Sequence, residues 1–180
     1  MTDFTALTPG TWNVDTSHST VGFMARHMMI AKVRGRFASF SGAITVPENP
    51  LDASVTATVD LASVDTGDEG RDAHLKGADF FDTDNFPTMT FTSIGVKEDG
   101  GDFKLVGDLT IKDVTRTVEF DLEFDGVGQD PWGGTRAAFS ATAEINRKDW
   151  GLEWNVVMEK GGLLVSEKIK LNLDIEAVKA

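Results

Sequence analysis

The chain has 180 residues, of which 41% are hydrophobic, and it contains no cysteine. That length and apolar content predict a single domain over residues 1–180, and the lack of cysteine excludes disulfides and thiolate catalysis. With 17 basic against 29 acidic residues the net charge is −12, which disfavours nucleic acid and anionic lipid surfaces unless the basic residues cluster. No leader or membrane-spanning stretch is recognisable, so the expectation is a soluble, cytoplasmic protein.

The first third of the chain alternates apolar and polar residues, the pattern of half-buried antiparallel strands. Weak alternation runs from about Trp12 to Met28 and from Val33 to Val46, and it is cleanest in PLDASVTATVDL (50–61). Lys32, Arg34 and Arg36 form the one local basic cluster, interpreted as the solvated face of a strand rather than an anion site.

The segment 66–92, TGDEGRDAHLKGADFFDTDNFPTMTFT, breaks this alternation. The capping-box spacing of Thr66 and Glu69 and the Lys76-Gly77 pair predict a short helical insertion near residues 67–81. Phe80, Phe81 and Phe86 follow among polar residues and need burial, so they are expected to close or line one end of the molecule. The DTDN stretch (82–85) is interpreted as a turn, because it lacks the glycine and glutamate of a calcium loop.

The alternation resumes over 87–96, 103–111, 114–124, 135–145 and 168–175, with turn signals between most of these segments. The total is roughly eight strands, several of them longer than usual. Long, strongly twisted sheets lose their exposed edges by closing. The sequence therefore predicts an all-β, elongated, eight-stranded antiparallel barrel with one short helical insertion.

Many inward positions of this barrel are small, including Ala25, Ala57, Ala141 and Gly107. They indicate either a filled interior in which small residues face large ones, or an interior left partly empty for a ligand. Because the strands are long, such a cavity would be tall and narrow and would suit a linear hydrocarbon.

The candidates for chemistry are few. His18, His27 and His74 lack the spacing of a helical metal pair, although a site assembled through space stays open as a metal-dependent alternative. His27 continues an apolar face and is predicted to point inward. Trp150 and Trp154 either cap one end of the barrel or gate a ligand.

Six segments in this order resemble the YceI-like family of lipocalin-like barrels, bacterial proteins regarded as polyisoprenoid-binding. They are TWNVDTSHSTVGFMARHM, VRGRFASFSGAI, RDAHLKGADFFDTDNFPTMTF, GDLTIKDVTRTVEF, INRKDWGL and SEKIKLNLDIEA, within a core of about residues 11–177. The family-pattern residues are His18, Phe23, His27, Phe37, Phe40, His74, Leu75, Phe80, Phe81, Phe86, Phe91 and Asn146. Two features depart from the family: no export signal, although many relatives are periplasmic, and Thr115–Thr117 where a Lys-Pro pair is common.

The resemblance implies a barrel whose apolar pore takes a long isoprenoid or similar lipid, with no established catalysis. The expectation is a protein that is not an enzyme and holds no metal and no cofactor apart from such a lipid. The ligand classes are an isoprenoid quinone, a polyprenyl phosphate or a fatty-acid derivative. A homodimer is a family-level expectation, and a filled structural barrel is the remaining alternative. The expected ligand-binding residues are Val21, Phe23, Ala25, His27, Phe40, Ile44, Val55, Ala57, Val59, His74, Phe80, Phe81, Phe91, Leu109, Val118, Phe120, Leu122, Phe139, Ala141, Trp150, Leu171 and Leu173.

Overall fold

A computed structural model describes residues 4–159 and 161–180. Within them the backbone forms eleven strands and one α-helix, α1 (Glu69–Lys76). The strands are β1 (Gly10–Val14), β2 (Thr20–His27), β3 (Ala31–Phe37), β4 (Phe40–Val46), β5 (Ser54–Asp60), β6 (Val64–Asp65), β7 (Thr88–Asp99), β8 (Asp102–Ile111), β9 (Val114–Gln129), β10 (Thr135–Asn146) and β11 (Lys168–Lys179).

The strands close into an antiparallel barrel with eight strand positions around the ring, as the sequence predicts. Three of these positions hold two successive strands each: β1 with β2, β3 with β4 and β5 with β6. The two-residue strand β6 pairs with β3, and β5 pairs with β4 and β7. Closure comes from β11, which pairs with β10 on one side and with both β1 and β2 on the other. Apart from these closing pairs, strands that are neighbours in the ring are also neighbours along the chain, and closure removes the two long edges that an open sheet would expose.

Two of the three interruptions occur where a side chain bonds to the backbone in place of the hydrogen bonds between strands. Asp15 accepts a hydrogen bond from the backbone N–H of Ser17, and Asp60 accepts one from Ala62, so each caps a short 3₁₀ turn. Such local side-chain bonds compete with strand pairing. Two bulges bend the longer strands, one at Ile94 of β7 and one at Asp125 of β9, opposite Ala138 and Phe139 of β10.

The two ends of the barrel differ. We call the lower end the one formed by residues 4–9, 47–53, 100–101 and 130–134, and the upper end the one formed by residues 28–30, 61–87 and 147–167. A plug from the N-terminal segment fills the lower end: Phe4 and Leu7 are buried beside the fully buried Trp12. The Phe4 ring lies 4.8 Å from that of Phe103, edge to face.

The helical insertion is present but shorter than predicted. Asp68, not Thr66, is the N-cap and accepts from the Arg71 N–H at 3.0 Å. Thr66 instead donates its hydroxyl to Asp72 at 2.6 Å, so the predicted capping box is wrong. Gly77 ends the helix as expected, through its N–H to the His74 carbonyl. No helix in residues 4–159 and 161–180 has the length and apolar character needed to cross a bilayer.

Candidate functional site

The barrel encloses a cavity of about 660 Å³, within the roughly 300–1,000 Å³ of small-molecule sites. Its wall extends from Phe4 and Leu7 of the lower plug to Arg71 of α1 at the upper end. All but one of the residues expected from the sequence to bind a ligand lie on this wall. The exception is Val118, which is buried among neighbouring apolar side chains instead. Whether the wall residues contact a ligand stays a prediction.

Small inward residues leave this space open. Ala25, Ala57 and Ala141 line the cavity where larger residues would fill it, which favours the partly empty interior over the filled one. Gly107 plays another part, since the Phe91 ring lies over it and leaves no room for a Cβ.

Further wall residues were missed from the sequence. The largest group, Phe37, Met89, Val96, Leu105, Ile111, Ile145, Ile169 and Ile175, lies on strands whose faces the alternation already gave. Phe4 and Leu7 lie outside the expected core of residues 11–177. The one sequence signal for their burial was that they are apolar residues in a largely polar N-terminal segment. Leu152, Leu164 and Val165 belong to the loop between β10 and β11, where no periodicity predicts direction.

Aromatic side chains cover part of the upper end. Trp150 is buried and donates its indole N–H to the Leu109 carbonyl at 2.9 Å, so it caps the barrel rather than gating it. Trp154 lies edge to face on His74, with ring centroids 4.6 Å apart. Phe80 and Phe81 line the cavity as expected, whereas Phe86 does not.

Arg147 anchors the loop that carries these tryptophans. Its side chain is 5% exposed and its guanidinium donates to three carbonyls, those of Ser166 (2.9 Å), Leu152 (2.6 Å) and Val165 (3.4 Å). Burial lowers the pKa of Arg147. Asp149, two residues along the loop, is exposed, and its backbone carbonyl accepts a hydrogen bond from Arg116.

Polar residues collect where the wall meets solvent at the upper end. Arg26, His27, Asp68 and Arg71 are exposed and line the cavity, so this end is its mouth. His27 was expected to point into the apolar interior, but it ends β2 at the rim and is exposed. The hydrogen bond from the Arg71 N–H lowers the pKa of Asp68, which therefore stays ionised at the rim.

The three histidines do not come together. His18 lies just before β2 and His27 ends it, so the length of that strand, roughly 23 Å, separates them, and His74 pairs with Asp79 at 2.8 Å. Asp15, His18 and Glu176 do place three potential ligand atoms within 4.8 Å of one another. The guanidinium of Arg136 already binds the carboxylates of Asp15 and Glu176, at 2.6 and 2.8 Å. Its positive charge therefore takes the place that a metal ion would need.

Known proteins resemble this chain over most of its length. Residues 12–177 match the YceI-like domain. A UPF0312 protein of Staphylococcus aureus strain MSSA476 is 38% identical over 164 residues, covering 90% of this chain and 94% of that protein. BcnA of Burkholderia cenocepacia has a TM-score of 0.75 and 25% identity, covering 91% of this chain and 98% of that one.

Two further solved structures share the barrel. A Campylobacter jejuni YCEI protein has a TM-score of 0.72 and 29% identity, covering 86% of this chain and 90% of its own. A polyisoprenoid binding domain from Saccharophagus degradans has a TM-score of 0.67 at 17% identity, covering 94% and 98%, a likeness of fold alone. The match to the domain over residues 12–177 and the 38% identity establish that this chain belongs to the YceI-like family.

Proposed function

We propose that this protein binds, and carries or sequesters, one long apolar molecule inside the barrel, and that it is not an enzyme. The observation that carries the proposal is the cavity of about 660 Å³, lined by apolar side chains from the lower plug upward and by polar ones at the mouth. The polyisoprenoid binding domain of Saccharophagus degradans, which has the same fold, supports this class of ligand.

Burial alone can supply the affinity. Each methylene group withdrawn from water contributes about 0.8 kcal/mol. For a long chain the summed free energy of burial exceeds the cost of immobilising the ligand, so no charged anchor is needed. The ligand is therefore recognised mainly by its length and width.

The mouth favours a ligand with a hydrogen-bond-accepting or anionic head. Arg26, Arg71, His27 and His74 lie on its wall, with Asp68 as the opposing carboxylate. A polyprenyl phosphate or a fatty-acid derivative fits this set best, and an isoprenoid quinone fits through its carbonyl oxygens. The chain would then extend downward toward Phe4 and Leu7.

Organic extraction of the purified protein, followed by lipid mass spectrometry, tests the proposal. One linear lipid per protein is expected, and native mass spectrometry should show the same added mass on the intact protein. An empty barrel from every expression host, with no uptake of prenyl or fatty-acyl lipid added in detergent, would disprove it.

A matched pair of variants separates the cavity from the outer surface. Ala57 faces the cavity, whereas its neighbour Thr58 is exposed on the outer face of β5. Ala57→Leu should shorten the longest lipid accepted or abolish uptake, and Thr58→Leu should leave both unchanged.

A further inference from the structure

The turn between β2 and β3 exposes apolar side chains to water. Met28, Met29 and Ile30 are 44%, 53% and 77% exposed. The Ile30 N–H bonds to the His27 carbonyl, and Met28 and Met29 have φ of 54° and 62°, so the three-residue connection 28–30 contains a tight turn with both central residues left-handed. Asparagine and glycine are the residues that such a turn prefers. Two methionines here therefore need a reason other than the backbone.

A second exposed apolar segment lies beside this turn. Val156 and Val157, in the loop between β10 and β11, are 45% and 77% exposed. The Met28 N–H donates to the Leu164 carbonyl at 2.8 Å, which joins the loop to the turn. Met28, Met29, Ile30, Val156 and Val157 are here called the apolar tip. In the described part of the chain they are five of the seven large hydrophobic residues classed as exposed, so this surface is concentrated at one end.

The strands behind the tip are basic, although the chain as a whole is strongly acidic. No Asp or Glu occurs between Asp15 and Glu48, a segment that carries Arg26, Lys32, Arg34 and Arg36, while the chain has 29 acidic residues in total. All four basic residues are exposed.

Most of these cations are available to a partner. Arg36 pairs loosely with Asp65 at 3.7 Å, and the other three make no ion pair with any residue that the structure describes. The part of the neighbouring loop closest to the tip, residues 155–165, contains one acidic residue, Glu159, and Asp149, Glu153 and Glu167 lie nearer the ends of that loop. The exposed apolar side chains of the tip therefore lie next to positive charge on β2 and β3.

We propose that the apolar tip and the basic strands behind it dock on an anionic lipid bilayer, with the mouth of the cavity facing the membrane. Apolar side chains enter the boundary of the acyl chains while arginine and lysine contact lipid phosphates, the combination typical of interfacial membrane binding. The tip adjoins the mouth, because Arg26 and His27 of β2 and Leu164 and Val165 of the loop line the cavity. An insoluble ligand could then pass between bilayer and barrel without crossing water.

Vesicle flotation tests this with the full-length protein. Vesicles of phosphatidylcholine with about one third phosphatidylglycerol are expected to bind the protein, pure phosphatidylcholine vesicles to bind it several-fold less, and added salt to weaken the binding. Arg34→Gln should weaken binding roughly fivefold, whereas Lys97→Gln, a change at an exposed lysine paired with Glu119 on another face, should not alter it.

The apolar part is tested by a variant designed to fold. Met28→Asn with Met29→Gly places in the turn the two residues it prefers, and Ile30→Thr keeps a β-branched residue. We expect at least tenfold weaker partition, since each methylene withdrawn from the acyl region changes it roughly fourfold. Trp132→Ser removes an 85% exposed side chain at the lower end and should have no effect.

Three outcomes would overturn the docking proposal. They are no binding to anionic vesicles, unchanged binding by the triple variant, and self-association that this variant abolishes without any vesicle binding, which would assign the tip to a second copy of the chain. Lipid carriage is judged separately, because the variant leaves the cavity intact and should still take up lipid from detergent micelles.

Discussion

Phe91 lies across Gly107 on the inner wall of the barrel. A Cβ at residue 107 would be 2.3 Å from Cζ of that ring and 2.8 Å from the Thr92 carbonyl oxygen. Phe23 covers Gly35 in the same way, at 2.3 Å, although no backbone atom lies that close. Each glycine lets an aromatic ring lie flat along the wall instead of filling the cavity.

Replacing these glycines with alanine should therefore have graded effects. Gly107→Ala is expected to lower the free energy of unfolding by about 1–3 kcal/mol, because ring and backbone must both move. Gly35→Ala should cost less, since the ring alone can turn into the cavity. Urea unfolding measures both, and the bound lipid should become shorter in each variant.

Gly95→Ala is the control for this series. No atom lies within 4 Å of a Cβ built there, and its φ is not positive, so stability should be unchanged or slightly higher. Equal stability for all three variants would show that the aromatic rings do not depend on the glycines.

Arg147→Met should lower the free energy of unfolding by about 2–3 kcal/mol. The change removes the donor from the Leu152 and Ser166 carbonyls in a buried setting, and unsatisfied buried acceptors are costly. Arg147→Lys should recover part of the loss, because one ammonium group cannot reach all the carbonyls. The measurement is again urea unfolding.

Arg116→Met provides the comparison for Arg147. Arg116 is exposed and donates to one carbonyl, that of Asp149, at 3.3 Å, so its loss should change stability by less than about 0.5 kcal/mol. A similar cost for the two methionine variants would contradict the role given to the buried guanidinium.

The alternation along the strands made the barrel and the strand part of the cavity wall predictable, whereas the residues that loops contribute to the wall were not. Alternation from residue 50 to 61 fixes which side chains of β5 face inward, because the side-chain period of a strand is two. The same logic placed Leu109 and Phe120 on the cavity wall.

Irregular segments carry no such period. Arg147 and Leu152 are buried through contacts between distant parts of the chain, and no local pattern encodes those contacts. His27 shows another limit. The two-residue alternation of β2 predicts that its side chain points inward, but the strand ends at His27, so the side chain lies at the rim. The cap at Asp68 was misplaced because several acidic and hydroxyl residues in a row all suit a helix start.

A cluster of charges around Arg136 should make stability depend on pH in the acid range. Arg136 binds Asp130 at 2.9 Å and Asp15 at 2.6 Å, and these bonds lower the pKa of both carboxyls. A lowered pKa in the folded state means that the stabilisation is complete above the unfolded pKa, near 4, and is lost as pH falls toward the folded values.

Arg136→Gln should therefore be less stable than the parent at pH 7, and the difference should shrink as pH falls below about 4. Urea unfolding at several pH values between 3 and 8 measures it. Arg34→Gln, at an exposed arginine without an ion pair, should show little difference at any pH. A gap for Arg136→Gln that stays constant down to pH 3 would be incompatible with the pairing.

Asp68→Ala should loosen the helix over the mouth while leaving the barrel intact. The change removes the acceptor of the Arg71 N–H, and the loss of an N-cap allows the first helical turn to open more often. Amide hydrogen exchange in residues 69–76 should become roughly fivefold faster, with β8 and β9 unchanged. Bound lipid should also leave faster if α1 controls access. Glu69→Gln, in the same turn but without a capping bond, should leave both rates near their parent values, and faster exchange without faster lipid release would show that α1 is a fixed wall of the mouth.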